Sequence, residues 1–135
     1  MTATVELSVT LPATPAETFR AITRTRHLRR WFVDILDYDR SLLTFGAGRQ
    51  LSFIAAEGLI GQGEVTTYRP PEILEYTWDT EVLRFELEGT ESTHLRFINT
   101  LEGPDAEDVA EAVRPGWETA LERLRGILET GDSDE

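Results

Sequence analysis

The feature that most constrains the fold is a series of segments in which apolar and polar residues alternate, followed by one long amphipathic segment. Alternation with a period of two places every second side chain on one face, which is typical of a strand with one buried face. In residues 81–88 the apolar positions are Leu83, Phe85 and Leu87, with charged residues between them. The same period recurs in residues 4–12, 49–56, 61–68, 73–78 and 93–101. The sequence therefore predicts six or seven antiparallel strands.

The last segment, from about residue 105 to residue 130, has apolar residues at spacings of three and four, which predicts one amphipathic helix. The predicted apolar stripe comprises Val109, Val113, Trp117, Leu121, Leu124 and Leu128. Pro115 has no backbone N–H to donate, so we expect a kink or a break between two helical pieces around residues 111–115. We expect Trp117 to face an aromatic residue of the sheet. The candidates are Trp78, Phe85 and Phe97.

Two short helices are predicted after the first strand. Thr14 is suited to cap the first helix, Pro15 suits its first position, and Glu17 completes a capping box. The second helix is expected to end in the apolar pair at residues 31–32. Residues 33–48 are harder to interpret: DILDYDRS at 34–41 is polar and irregular, and FGAG at 45–48 resembles a turn into a strand.

Each strand offers one apolar face and the last helix offers one apolar stripe, and both are buried when the sheet curls around the helix. The predicted fold class is therefore α+β: a curved antiparallel β-sheet wrapped around a long C-terminal α-helix, with two short helices after the first strand. Because the 135 residues show no linker or repeat, residues 1–130 are expected to form a single domain. Residues 131–135 are expected to form a disordered acidic tail.

The composition disfavours several classes of function. Twenty-five acidic residues against thirteen basic ones give a net charge of −12, which disfavours nucleic-acid binding. The two histidines are far apart in sequence and cysteine is absent, so we predict no metal site, no cofactor and no disulfide. No apolar run approaches the ~20 residues that a membrane span needs. Without cysteine or a signal-peptide pattern, the expected location is the cytoplasm.

The order of the elements, together with five short motifs, resembles the helix-grip fold of the START-like (SRPBCC) superfamily. The motifs are LPATPAETFRAIT at residues 11–23, LRRWF at 28–32, EYTW at 75–78, THLRFIN at 93–99 and GWETALERL at 116–124. Within that superfamily the chain is similar to the family named for the C-terminal domain of the activator of heat-shock protein 90 ATPase. Members of this family often have a histidine where this sequence has Asn99. The resemblance implies a cavity for a small molecule or a lipid more than it implies chaperone activation.

The inward aromatic residues and their neighbours are the main candidates for a ligand site. The residues expected to line a cavity are Trp31, Phe32, Phe53, Tyr76, Trp78, Phe85, Thr93, Phe97, Asn99, Trp117 and Leu121. Trp31 and Phe32 are expected to close its mouth. A filled core and a partial cavity stay open as alternatives, because large rings fill space whereas small residues such as Ala55 and Ala120 leave room. The polar members of this set each need a hydrogen-bond partner, either in the protein, in water or in a ligand.

A cluster of arginines in the first two predicted helices forms a basic patch in this acidic chain. We call it the arginine cluster, and it comprises Arg20, Arg24, Arg26, Arg29 and Arg30. One interpretation is a solvated helix face paired with acids such as Asp34 and Asp37. The other is a docking site for an acidic protein or an anionic headgroup.

The leading hypothesis is non-enzymatic binding of a hydrophobic or amphipathic small molecule between the sheet and the C-terminal helix. The alternative is a protein-interaction module that docks a chaperone or a stress-response partner through the arginine cluster. A cyclase-type or hydrolase-type enzyme ranks third, because it needs an acid and a base that converge in the cavity. We assign no catalytic residue.

Overall fold

The computed structural model describes residues 2–130, and its elements follow the predicted order. The strands are β1 (Thr2–Leu11), β2 (Gln50–Ala55), β3 (Gly58–Arg69), β4 (Ile73–Trp78), β5 (Glu81–Gly89) and β6 (Thr93–Glu102). The helices are α1 (Pro15–Thr23), α2 (Thr25–Trp31) and α3 (Ala106–Thr130). The predicted tail at 131–135 lies outside the described residues.

The six strands form one antiparallel sheet in the order β1-β6-β5-β4-β3-β2. β1 therefore pairs with the last strand of the chain, and the remaining neighbours follow sequence order. The register places Phe85 opposite Phe97, and it places Asn99 between Val5 and Leu83. The curved sheet with its long C-terminal helix confirms the predicted α+β helix-grip class.

The main core lies between the inner face of the sheet and the three helices. Alternating strand residues supply most of it, as the period of two requires. A second, smaller cluster joins the N-terminal half of α3 to the edge of the sheet, and it comprises Val5, Leu101, Ala106 and Ala110. Trp117 packs against both clusters, so it lies at the point where they meet.

The start of α1 is fixed by the capping box that the sequence predicts. The Thr14 backbone N–H donates to Glu17 Oε1 at 3.0 Å, and the Glu17 N–H donates to Thr14 Oγ1 at 3.2 Å. Phe19 and Ile22 are then buried against the core. The cap satisfies backbone donors that would otherwise have no partner at the helix start, and it directs the apolar side of α1 toward the sheet.

The predicted break in the C-terminal helix is wrong, because α3 is unbroken from Ala106 to Thr130 with Pro115 inside it. Pro115 and Glu111 are both exposed, so water can hydrate the carbonyl group that receives no N–H from the proline. The predicted stripe is also wrong at Val109, which is 39% exposed. Alanines take the buried positions there, because the helix packs mainly against β1 and small side chains allow a close approach.

The outer face of the sheet carries a chain of ion pairs across four strands. Arg96 Nε lies 2.7 Å from Glu6 Oε2, and Arg96 Nη1 lies 3.2 Å from Glu86 Oε1. Arg84 Nε lies 2.6 Å from the other oxygen of Glu86, and Arg84 Nη1 lies 3.2 Å from Glu75 Oε2. The hydrogen bond from Arg84 holds the pKa of Glu86 below its usual range. These pairs give the outer face its polar character and leave the inner face for packing.

Candidate functional site

An open groove of about 600 Å³ lies beside α3, and we call it the helix groove. Its walls come from α3, from the segment that follows α2, and from the turn between β4 and β5. The helix contributes Val113, Gly116, Trp117, Thr119, Ala120 and Arg123. The other lining residues are Phe32, Val33, Asp34, Ile35, Trp78 and Glu81. The groove is mostly apolar, with three charged side chains at its margins.

Trp117 is half-buried and fixed by contacts on several sides. Its ring centroid lies 4.7 Å from that of Phe97 and 5.8 Å from that of Phe32. Its indole Nε1–H donates to Asn99 Oδ1 at 3.1 Å. The contact with Phe97 confirms the prediction that Trp117 faces an aromatic residue of the sheet.

Asn99 is hydrogen-bonded to a residue on each of two walls of the helix groove. It is fully buried in β6, and its amide nitrogen donates to the Val82 carbonyl oxygen at 3.2 Å and to Glu81 Oε1 at 3.3 Å. Because the Trp117 indole nitrogen can only donate, the Asn99 oxygen must face it. Asn99 therefore holds Trp117 on one wall and Glu81 on the other.

Trp78 lines the groove, and its side chain lies across a neighbouring strand. Its ring stacks on Phe53 of β2, with centroids 3.9 Å apart and planes 4° apart. β3 lies between these two strands, and the Trp78 ring can lie across β3 because residue 61 is a glycine. A Cβ on Gly61 would clash with the Trp78 indole nitrogen and its neighbouring carbon. The missing side chain therefore fixes where Trp78 lies.

The structure distributes the eleven candidate residues between the helix groove and the buried core. Three of them line the helix groove, namely Phe32, Trp78 and Trp117. The other eight are buried in the core, namely Trp31, Phe53, Tyr76, Phe85, Thr93, Phe97, Asn99 and Leu121. Trp31 and Phe32 were expected together at a cavity mouth. Both are buried with their rings in contact, and of the two Phe32 borders the helix groove. Trp31 lies inside, where its indole N–H donates to the Ala21 carbonyl oxygen at 2.9 Å.

The buried hydroxyl of Thr93 has partners within the protein. It donates to the Ala13 carbonyl oxygen at 2.8 Å and accepts from the Thr18 hydroxyl at 3.3 Å. These two hydrogen bonds join the segment after β1 and the start of α1 to β6. The hydrogen-bonding capacity of Thr93 is thus used for structure.

Tyr76 is different, because its fully buried hydroxyl has no hydrogen-bond partner among residues 2–130. Its ring centroid lies 5.0 Å from that of Phe45 and 6.1 Å from that of Phe85. Burial raises the pKa of Tyr76 well above its ordinary value, and Tyr38 adds to the shift. A buried hydroxyl left in this state costs about 1–3 kcal/mol.

Sequence reasoning missed most of the polar margin of the groove. Asp34 and Ile35 belong to the irregular segment 33–48, whose lack of a period gave no indication of their direction. Arg123 Nη1 lies 2.9 Å from Asp34 Oδ1, so an ion pair joins α3 to that segment. Ile35 is 65% exposed. Within the polar stretch DILDYDRS, Ile35 was an apolar residue that could have been noted as a signal.

The ion pairs around the arginine cluster differ from those expected. Asp34 pairs with Arg123, and Asp37 pairs with Arg40 at 2.7 Å, which lowers the pKa of Asp37. From the cluster, Arg29 Nη2 lies 2.8 Å from Asp39 Oδ1. The two acids predicted to neutralise the cluster are therefore engaged by arginines outside it.

Within residues 2–130, no three acidic or histidine side chains come together in a way that could hold a metal ion. No helix in that range is long and apolar enough to span a membrane.

Residues 12–129 match the sequence model of the family described as Activator of Hsp90 ATPase homolog 1-like protein. This match covers most of the chain, including every lining residue of the helix groove. No functionally curated protein matches the chain significantly.

Several solved structures share the fold over nearly the whole chain. Protein MLL2253 from Mesorhizobium loti has a TM-score of 0.80 and 24% identity, and the match covers 95% of this chain and 98% of that one. EF2215 from Enterococcus faecalis, a conserved protein of unknown function, has a TM-score of 0.75 and 27% identity, with 97% and 74% covered. The Aha1 dimer from Colwellia psychrerythraea has a TM-score of 0.73 and 18% identity, with 96% and 98% covered.

Proposed function

Since the chain belongs to the family described as Activator of Hsp90 ATPase homolog 1-like protein, we propose that this member binds a hydrophobic or amphipathic small molecule in the helix groove. The observation that carries the proposal is the groove itself. Its volume of about 600 Å³ lies within the usual range for small-molecule sites. Such sites are mostly apolar with a few placed polar groups, and this lining has that character.

The aromatic walls of the groove are fixed before any ligand arrives. Trp117 is held by Phe97 and by its hydrogen bond to Asn99, and Trp78 is held by its stack on Phe53. Fixed side chains lose little conformational entropy on binding, so the groove keeps most of the free energy gained by covering apolar surface. This arrangement supports a binding site over a gap left by loose packing.

We propose binding without catalysis because the carboxylates of the groove are already engaged. Asp34 is paired with Arg123, and one oxygen of Glu81 accepts from Asn99. General acid–base chemistry needs an acid and a base that exchange protons with the substrate. Neither carboxylate is arranged opposite a second titratable group in that way.

A substitution that fills the groove tests this function. In the variant Gly116→Leu the new side chain enters open space, because a Cβ at this position meets no atom within 4 Å. Leucine also favours a helix more than glycine does, so folding should not suffer. We expect the neutral fluorescent probe N-phenyl-1-naphthylamine to bind the natural chain and to bind Gly116→Leu at least about tenfold more weakly.

The matched control is Gly126→Leu, which also enters open space on α3 but lies outside the lining of the groove. It should bind the probe as the natural chain does. Equal affinity for the natural chain and Gly116→Leu, or no binding by either, would contradict a ligand site in the groove.

A second candidate function rests on the exposure of the arginine cluster. Arg24, Arg26, Arg29 and Arg30 are all exposed, on a chain whose net charge is −12. Such a patch suits an acidic protein surface, and the family description points to the ATPase of heat-shock protein 90. We propose this docking role as the alternative to ligand binding.

Charge reversal tests the docking role. The double variant Arg24→Glu/Arg26→Glu keeps α2 intact, since acidic residues suit the start of a helix. If the role is correct, the natural chain stimulates the ATPase of its own organism's heat-shock protein 90, and this variant loses most of that stimulation. The control Arg49→Glu/Arg69→Glu makes the same charge change at exposed positions outside the cluster and should retain the stimulation. Equal loss in both variants would point to net charge instead of docking.

A further inference from the structure

We propose that the helix groove selects ligands that carry an ammonium group on an apolar body, an inference that rests on the ligand-binding function proposed above. The lining combines three aromatic rings with a carboxylate that has no ion-pair partner among residues 2–130, and its one guanidinium is engaged by an acid. A cation satisfies such a lining better than an anion or a neutral polar group.

The aromatic part of the lining suits a cation. Trp78, Trp117 and Phe32 all line the groove. Ring faces attract ammonium groups because their π-systems carry negative charge density, and tryptophan does so most strongly. One face of Trp78 is covered by Phe53, so a ligand that meets its ring face-on must use the opposite face.

One of the two indole donors is engaged within the protein. The Trp117 N–H is used by Asn99 Oδ1. Trp117 therefore offers a ligand its ring surface and no hydrogen-bond donor for the oxygens of a carboxylate or phosphate.

The charges at the margins favour the same ligand. Arg123 is the one cation in the lining, and it is engaged by Asp34 at 2.9 Å. Glu81 has no ion-pair partner among residues 2–130, and it accepts a hydrogen bond at 3.3 Å from the neutral amide of Asn99. Two carboxylates against one guanidinium leave the lining with one net negative charge. The chain's net charge of −12 adds a long-range field that attracts cations.

An anionic ligand would meet the opposite conditions. To reach a cation it would have to displace Asp34 from Arg123, and it would then lie in the same groove as Glu81. Displacing Asp34 and lying beside Glu81 both cost free energy, and an ammonium ligand has neither cost. The expected order of affinity is therefore ammonium, then neutral, then anionic, for ligands with the same apolar chain.

Calorimetric titration with three eight-carbon probes tests this order. The probes are octyltrimethylammonium, octanol and octanoate, so only the head group changes. We expect octyltrimethylammonium to bind about tenfold more tightly than octanol, with octanoate weakest. Added salt should reduce the preference, because screening weakens the attraction between the ligand and the acidic chain.

The variant Glu81→Gln removes the charge while its amide oxygen can still accept from Asn99. It should lower the ratio of ammonium affinity to octanol affinity by several fold. The control Glu88→Gln makes the same charge change at the far end of β5, about 23 Å away along the strand, and should keep the natural ratio.

The outcomes separate this inference from the function on which it rests. If none of the three probes binds, the ligand-binding function fails. If octanol binds at least as tightly as octyltrimethylammonium, the function stands and the ammonium preference is overturned. Equal ratios for Glu81→Gln and Glu88→Gln would also overturn it, since the preference would then come from net charge alone.

Discussion

Replacement of Trp117 by alanine is expected to lower the free energy of unfolding by about 3–5 kcal/mol, as aromatic truncations in packed sites do. Two losses add together. The ring contacts with Phe97 and Phe32 disappear, and the buried Asn99 oxygen loses its donor, which by itself costs about 1–3 kcal/mol. Urea denaturation followed by far-ultraviolet circular dichroism measures the change.

The variant Trp117→Phe separates the two losses, because it keeps an aromatic ring and removes the N–H. It should lose about 1–3 kcal/mol, the cost of the unsatisfied Asn99 oxygen. A midpoint that barely moves in Trp117→Ala would show that the ring borders solvent and contributes little to the core.

Replacement of Gly63 by alanine is expected to cost about 3 kcal/mol, at the upper end of the range for overpacking. A Cβ on Gly63 would collide with the Thr77 carbonyl oxygen of the paired strand. That oxygen belongs to the backbone of β4, so no rotation of a side chain relieves the contact, and the strands must separate locally.

The control for this prediction is Gly126→Ala in α3, where a Cβ meets open space. Alanine is favoured over glycine inside a helix, so this variant should gain about 0.5–1 kcal/mol. The two glycine-to-alanine changes are therefore expected to change the free energy of unfolding in opposite directions. A loss below about 1 kcal/mol for Gly63→Ala would mean that β3 and β4 move apart more easily than their pairing suggests.

The strands were predictable because the chemistry of a half-buried sheet imposes a period of two on the sequence. Leu83, Phe85 and Leu87 are buried as that period requires. The contact of Trp117 with Phe97 followed from combining strand parity with helical spacing. Patterns of this kind specify which face a side chain occupies.

The position of the groove could not be predicted in the same way. Strand parity and helical spacing assigned side chains to the interior, and they carried no information on whether that interior is filled or hollow, which depends on how large rings interlock. The groove opens instead at the margin, where residues 33–35 meet α3. That segment has no period, so its contribution depends on tertiary contacts alone.

The helix differs from the prediction at Pro115 and Val109 for two different reasons. A kink or a break was expected at the proline, and α3 continues without a break, because water can hydrate the carbonyl group that loses its partner. Val109 was assigned to the stripe by its hydrophobicity, whereas the surface of β1 accepts small side chains at that end. The shape of the partner surface overrode local preference in the second case.

The first turns of α3 and its C-terminal half are anchored with unequal strength. Leu121, Leu124 and Leu128 bury large side chains in the main core, whereas the turns before Trp117 bury mainly Ala106 and Ala110. A buried leucine contributes about 1.5–3 kcal/mol and an alanine much less, so local detachment of these first turns has the lower free energy. Trp117 lies after them and keeps its contacts with Phe97 and Asn99. The end of the helix groove that Val113 lines can therefore open while the aromatic wall stays in place.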